Sequence, residues 1–131
     1  MNAQGQIEYW LELAEYDLGI AKFLLDGGKY LYVGFMCQQV IEKALKAVIS
    51  KTGVFPPKIH ELPELAILAD LIVSMDENQK QLLAKLTPLS IETRYPSDKE
   101  DVEQNLNEQV CNEYLTQTQE MLKWIKEKLQ Q

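Results

Sequence analysis

Apolar residues recur at intervals of three and four along much of this chain, and this spacing constrains the fold most strongly. Residues three and four apart lie on one side of an α-helix, so the recurrence predicts amphipathic helices. The first stripe falls between Gln6 and Asp26 and comprises Leu11, Ala14, Leu18, Ala21 and Leu25. Gly27-Gly28 follows it directly and predicts the end of the first helix.

The second predicted helix, from about Lys29 to Lys51, is apolar around most of its circumference. Its stripes are Val33, Cys37, Val40, Ala44 and Ala47, beside Ile41, Leu45 and Val48. So broad an apolar surface predicts the central helix of the fold. Gly53 and Pro56-Pro57 predict an extended loop after it, because the residue before a proline is pushed out of helical geometry.

Three further helices are predicted after this loop. Pro63, in a first turn, predicts a helix from Leu62 to Val73, and the Ser74 to Glu77 segment has capping-box spacing for a fourth helix that ends or kinks at Pro88. A last helix carries Val110, Tyr114, Met121, Leu122, Ile125 and Leu129, and its start is left open between Ser97 and Asn107. With no sustained alternation of period two, we predict an all-α fold, an antiparallel up-and-down bundle of about five helices, in a single domain over residues 1–131.

Charge and composition limit the function. Apolar residues make up 46% and charged residues 25% of the chain, values typical of a folded domain. A net charge of -7 disfavours a protein that coats nucleic acid, because such binding depends on excess lysine and arginine. A local basic site stays open, since the segment from Cys37 to His60 contains four lysines against one glutamate.

The same sequence disfavours membrane, metal and cofactor chemistry. No apolar run approaches the roughly 18 residues of a membrane span, and the N-terminus lacks the features of a signal peptide, so a cytoplasmic protein without membrane association is expected. A single histidine with no glutamate three residues before it cannot supply a bundle di-iron site, so we predict no metal and no cofactor.

Cys37 and Cys111 lie on apolar stripes and are predicted to be reduced core thiols. Spacing alone leaves a Cys–His dyad open, but apolar surroundings disfavour a thiolate.

Three polar features remain as candidate sites. The first is a polar strip on the second helix, formed by Gln39, Glu42, Lys43 and Lys46 with Gln38 adjacent. It is either an exposed edge with a Glu42–Lys46 pair four residues apart, or a functional surface.

The second and third features are His60 and Arg94-Tyr95-Pro96. His60 stands at a helix start, where it either closes a turn or serves a ligand. Arg94 offers a fork that suits phosphate and Tyr95 offers a stacking face. The alternative for Arg94 is an interhelical clamp with a carboxylate.

The run from Phe35 to Ala47, which contains QQVIEKALKA, is followed by Pro57 to Leu62 (PKIHEL) and by Thr93 to Pro96 (TRYP). In this order and at these separations, the pattern resembles the prokaryotic HEPN domain family over about residues 9–122. The resemblance implies a homodimeric bundle of about five helices that is linked to nucleotide binding. It also implies that the gene for this protein lies beside a gene for a minimal nucleotidyltransferase, as is often found in this family and in toxin-antitoxin systems.

Many relatives in this family are ribonuclease toxins that carry an arginine followed a few residues later by a histidine. After Arg94 the corresponding positions are Lys99, Glu100 and Asp101, so the histidine of that motif is absent and catalysis is disfavoured.

Our leading hypothesis is a HEPN-like homodimer that binds a nucleotide or an RNA phosphate and pairs with a nucleotidyltransferase protein. The candidate ligand-binding residues are Gln39, Glu42, Lys43, Lys46, His60, Arg94 and Tyr95. The first alternative is a metal-independent ribonuclease in which His60 is the base and Arg94 stabilises the developing charge. The second alternative is a non-catalytic structural adaptor.

The apolar surface of the first two helices predicts the dimer, with the polar strip and Arg94 in a cleft at or near the interface.

Overall fold

The structure is a computed structural model that describes residues 1–92 and 105–131. Its α-helices are α1 (Ala3–Asp26), α2 (Tyr30–Ile49), α3 (Leu62–Leu68), α4 (Glu77–Leu86), α5 (Leu89–Glu92) and α6 (Glu108–Leu129). Short 3-10 turns occupy Ser50–Thr52 and Ile72–Ser74. No strand occurs among the described residues, and the predicted all-α bundle is confirmed.

Helices α1 and α2 form a hairpin that carries the candidate site. The side chain of Asn2 caps α1 by accepting a 2.8 Å hydrogen bond from the N–H of Gly5. The helix ends where predicted, because Gly28 adopts a left-handed φ of 72° that residues with a β-carbon rarely adopt. The chain then reverses, and α2 runs back along α1.

Helix α2 is the centre of the fold, as its apolar circumference predicted. It packs against α1, α3, α4, α5 and α6. Val33, Cys37, Val40, Ile41, Ala44 and Leu45 are fully buried along it. Helix α6 closes the core with Cys111, Leu115, Met121, Leu122 and Ile125. A central helix buried on so many sides leaves little surface for solvated polar residues.

The third helix is shorter than predicted. It ends at Leu68 rather than Val73, because Asp70 takes a left-handed φ of 57°. The N–H of Leu71 then bonds to the carbonyl of Ala66 at 3.0 Å, which closes the helix end with a Schellman-type bond. Aspartate adopts this conformation more readily than most residues, but its presence alone does not mark a helix end.

The ends of the later helices also refine the predictions. Asp76, not Ser74, caps α4: its side chain accepts from the N–H of Gln79 at 2.8 Å, and the Gln79 side chain accepts from the N–H of Asp76 at 2.9 Å. Asn107 caps α6 by accepting from Val110 N–H at 2.9 Å, which resolves the open start of the last helix. No helix in the described part of the chain is long and apolar enough to cross a membrane.

Candidate ligand-binding site

A group of hydrogen-bonded polar side chains lies where α2 meets the end of the segment that leads into α3. We call Gln38, Glu42, Lys46 and His60 the Glu42 cluster. The Glu42 carboxylate is its centre: Oε1 lies 3.0 Å from both Gln38 Nε2 and His60 Nδ1. Its other oxygen, Oε2, accepts from Lys46 Nζ at 3.1 Å. Three of the predicted site residues, Glu42, Lys46 and His60, are therefore brought together.

The cluster is buried apart from its histidine. Glu42 is 5% exposed, Lys46 is 6% exposed and Gln38 is fully buried. The interpretation of the polar strip as an exposed edge is therefore wrong for Glu42 and Lys46. Trp10 of α1 lies beside the Lys46 ammonium, with 5.6 Å between Nζ and the ring centroid. A charge buried this deeply is tolerated only when it is paired and hydrogen-bonded, as both members of this pair are.

His60 is the exposed member, with 60% of its side chain accessible. An ionised carboxylate only accepts hydrogen bonds, so the imidazole donates Nδ1–H to Glu42. That contact fixes the tautomer of the neutral ring and leaves Nε2 as the nitrogen available to a ligand. Gln38 Nε2 also donates to the backbone carbonyl of His60 at 3.0 Å. Both the ring and the backbone of His60 are thus tied to α2.

Lys43 and Gln39 extend the cluster toward the surface, and both are half-buried. Lys43 forms an ion pair with Asp17 of α1, whose side chain is 8% exposed. Gln39 Nε2 donates to Gln38 Oε1 at 2.7 Å. In these contacts the carboxylates of Asp17 and Glu42 balance the ammonium groups of Lys43 and Lys46.

Sequence reasoning missed two residues on α1. Asp17 is an acid one position from the apolar stripe, which was a signal that it needed a buried partner. Its partner Lys43 lies 26 residues away, however, and spacing alone cannot identify it. Trp10 is the second, and its ring covers the buried ammonium of Lys46. The remaining predicted residues, Arg94 and Tyr95, lie outside the described residues.

The two cysteines are free and buried, as predicted. Burial raises the pKa of the Cys37 thiol to about 12, although the nearby Thr118 side chain acts in the opposite direction. Burial also raises the pKa of Cys111 to about 11. Neither thiol is a ready nucleophile at neutral pH, because the reactive species is the thiolate.

Among the residues that the structure describes, no group of three or more His, Cys, Asp or Glu side chains is placed to hold a metal ion. A separate cleft of about 640 Å³ lies beside the end of α6, with Thr52, Leu68 and Lys128 among its lining residues. It contains no member of the Glu42 cluster, so the cluster stays the best candidate site.

Comparisons with known proteins agree with this architecture. The profile of the HEPN domain family matches residues 7–129. The crystal structure of TT1696 from Thermus thermophilus is 29% identical and has a TM-score of 0.79, covering 98% of this chain and 99% of that one. ST0689, described as an archaeal HEPN homologue, is 24% identical with a TM-score of 0.72, covers 93% of this chain and 96% of its own, and supports the fold alone. No curated protein matches this sequence. Because the family profile spans nearly the whole sequence, this chain belongs to the HEPN domain family.

Proposed function

We propose that this protein is a homodimeric binding module that holds the phosphate of a nucleotide or of RNA at the Glu42 cluster. The observation that carries the proposal is the position of His60. Its ring is 60% exposed, yet Nδ1 is anchored 3.0 Å from a buried carboxylate. A ligand therefore meets an imidazole whose orientation is already fixed, and less conformational entropy is lost on binding.

The charges of the cluster divide its residues into two roles. Protonated His60 would donate Nε2–H to a phosphate oxygen, and half-buried Lys43 with Gln39 would contact the same ligand from α2. Lys46 is buried and already paired with Glu42, so we assign it a positioning role rather than a ligand contact. Arg94 would add a guanidinium fork and Tyr95 a stacking face, as the sequence predicts.

Isothermal titration calorimetry with ATP, GTP and a short RNA tests this proposal. We expect saturable binding of at least one ligand, and at least about a tenfold loss of affinity in His60→Ala, because a charged hydrogen bond contributes roughly 1.5–3 kcal/mol. Lys80→Ala, at an exposed lysine on α4, is the matched control and should bind as the parent does. Absence of saturable binding to all three ligands would remove the ligand half of the proposal.

The proposals of a homodimer and of a nucleotidyltransferase partner are based mainly on the resemblance to the HEPN family. Ten large apolar side chains are exposed in the described chain, and a contiguous group of such side chains is typical of an interface. We propose that the dimer pairs with a minimal nucleotidyltransferase, as in a toxin-antitoxin system. Sedimentation equilibrium tests the dimer, and a single 15.1 kDa species at micromolar concentration would contradict it. Co-purification with a nucleotidyltransferase encoded beside this gene tests the pairing.

A second function, metal-independent RNA cleavage, is favoured by one contact. A carboxylate on Nδ1 leaves Nε2 free to take a proton, the arrangement in which a histidine acts as a general base. Arg94 would then stabilise the developing phosphate charge. RNA cleavage that persists unchanged in His60→Ala would exclude this function. If Arg94→Ala lowers stability and changes no ligand affinity, the non-catalytic adaptor is the better description.

A further inference from the structure

Two aromatic side chains of α1 lie beside the Glu42 cluster. Trp10 contacts the cluster directly, because the ammonium of Lys46 lies 5.6 Å from the centroid of its ring. Tyr9 packs against Trp10 edge to face, with 5.5 Å between the ring centroids and 74° between the ring planes. Tyr9 is 46% exposed and Trp10 is half-buried. We call Tyr9 and Trp10 the aromatic pair, and it presents an accessible aromatic surface next to buried polar groups.

A continuous series of contacts joins the aromatic pair to His60. The Glu42 carboxylate contacts His60 Nδ1 through Oε1 and Lys46 Nζ through Oε2. The Lys46 ammonium in turn lies against the ring of Trp10. One buried ion pair therefore separates the exposed imidazole from the aromatic surface.

Helical geometry places the loop of His60 and helix α1 on opposite sides of Glu42. At 100° per residue along α2, Gln38 lies about 40° to one side of Glu42 and Lys43 about 100° to the other. Gln38 donates to the backbone carbonyl of His60, so the loop lies on the first side. Lys43 pairs with Asp17 of α1, so α1 lies on the second side. The imidazole and the aromatic pair thus flank the buried centre of the cluster.

We propose that the aromatic pair is the nucleobase platform of this site: the phosphate of the ligand meets His60 and its base stacks on the aromatic surface of α1. The inference rests on the proposed function and adds the part of the ligand that the charged residues do not recognise. Every base has a π face, so such a platform accepts purines and pyrimidines alike. The ligands it selects are nucleotides and single-stranded RNA, whose bases are free to stack, over inorganic phosphates.

Calorimetry with ligands that have or lack a base tests the platform. ATP is titrated beside inorganic triphosphate, and a short single-stranded RNA beside an abasic ribose-phosphate oligomer of the same length. The parent should bind at least one base-containing ligand about fivefold or more tightly than its base-free counterpart, the gain expected from one base–aromatic stack. Tyr9→Leu should lose most of this gain and bind the base-free ligands as the parent does. Tyr16→Leu, at a 70% exposed tyrosine of the same helix, is the matched control and should keep the gain.

The fluorescence of Trp10 supplies a readout that a purely structural role of its ring would not change. The chain has two tryptophans, so Trp124→Phe leaves Trp10 as the single emitter. The base-containing ligand that calorimetry identifies should quench this emission and saturate with the same dissociation constant. Its base-free counterpart should cause little quenching at concentrations that saturate the phosphate site.

The outcomes separate the platform from the phosphate site. If the parent binds ligands with and without a base equally well, or if Tyr9→Leu binds ATP and RNA as the parent does, the platform is wrong and the phosphate site still stands. If the parent binds none of the four ligands, the proposed phosphate site fails and the platform fails with it.

Discussion

The buried pair of Glu42 and Lys46 gives the sharpest prediction for stability. Glu42→Gln keeps the size of the side chain but removes the carboxylate that pairs with Lys46. The ammonium of Lys46, 6% exposed in the fold, would then have no counter-charge. Breaking a buried ion pair from one side costs about 3–5 kcal/mol, because the remaining charge is uncompensated.

Urea unfolding at a fixed protein concentration measures this cost. For a small protein with a slope of about 1–3 kcal/mol per molar urea, we expect the midpoint to fall by about 2 M. Adding Lys46→Met should restore most of the loss, since two partners replaced together leave no buried charge. The concentration is held constant because dimer formation would itself change the apparent stability.

An exposed pair supplies the matched control. Lys126 and Glu15 also form an ion pair, but their side chains are 40% and 46% exposed. Glu15→Gln should therefore cost less than about 1 kcal/mol. If Glu42→Gln costs no more than Glu15→Gln, or if Lys46→Met fails to rescue it, the buried and mutually dependent arrangement of the Glu42 cluster is wrong.

Three further predictions concern the core, a helix cap and pH. Leu65→Ala should lower the free energy of unfolding by about 2–5 kcal/mol in a urea titration, because Leu65 is fully buried. Asp76→Ala should cost about 1 kcal/mol by the same measurement, since it removes the cap of α4. Burial raises the pKa of Cys37 from 9.0 to about 12, so its contribution to stability is complete below pH 9 and is lost as the pH rises toward 12. The fall in unfolding free energy across that range should be shallower in Cys37→Ala, and equal slopes would contradict the shift.

The long helices could be predicted from sequence because each buries a periodic apolar face. Gly27-Gly28 also fixed the end of α1, since Gly28 supplies the left-handed residue that the turn requires. The end of α3 could not be predicted, because Asp70 adopts a left-handed conformation that nothing in the neighbouring sequence indicates. The cap of α4 was misplaced by two residues, because Ser74 and Asp76 both begin segments with plausible capping spacing.

The candidate site was only partly predictable, for a related reason. Glu42 and Lys46 are four residues apart on one helix, so their contact follows from helical geometry. The contact between His60 and Glu42 depends on how the loop folds back, and the family resemblance rather than periodicity placed the two residues in one site. The Lys43–Asp17 pair and the Trp10 cover depend on the packing of α1 against α2. Local sequence patterns do not predict how α1 packs against α2, so the sequence did not indicate that the polar strip is buried.

The most direct test of the Glu42 cluster as a phosphate site is an NMR titration that follows the imidazole of His60. His60 is the only histidine in the sequence. Its ring resonances are therefore unique in an NMR spectrum and need no assignment by mutagenesis. On addition of ATP, GTP or a short RNA, we predict that these resonances shift and saturate with the dissociation constant found by calorimetry. Ring resonances that stay unchanged while calorimetry reports saturation would place the ligand elsewhere and contradict the central claim.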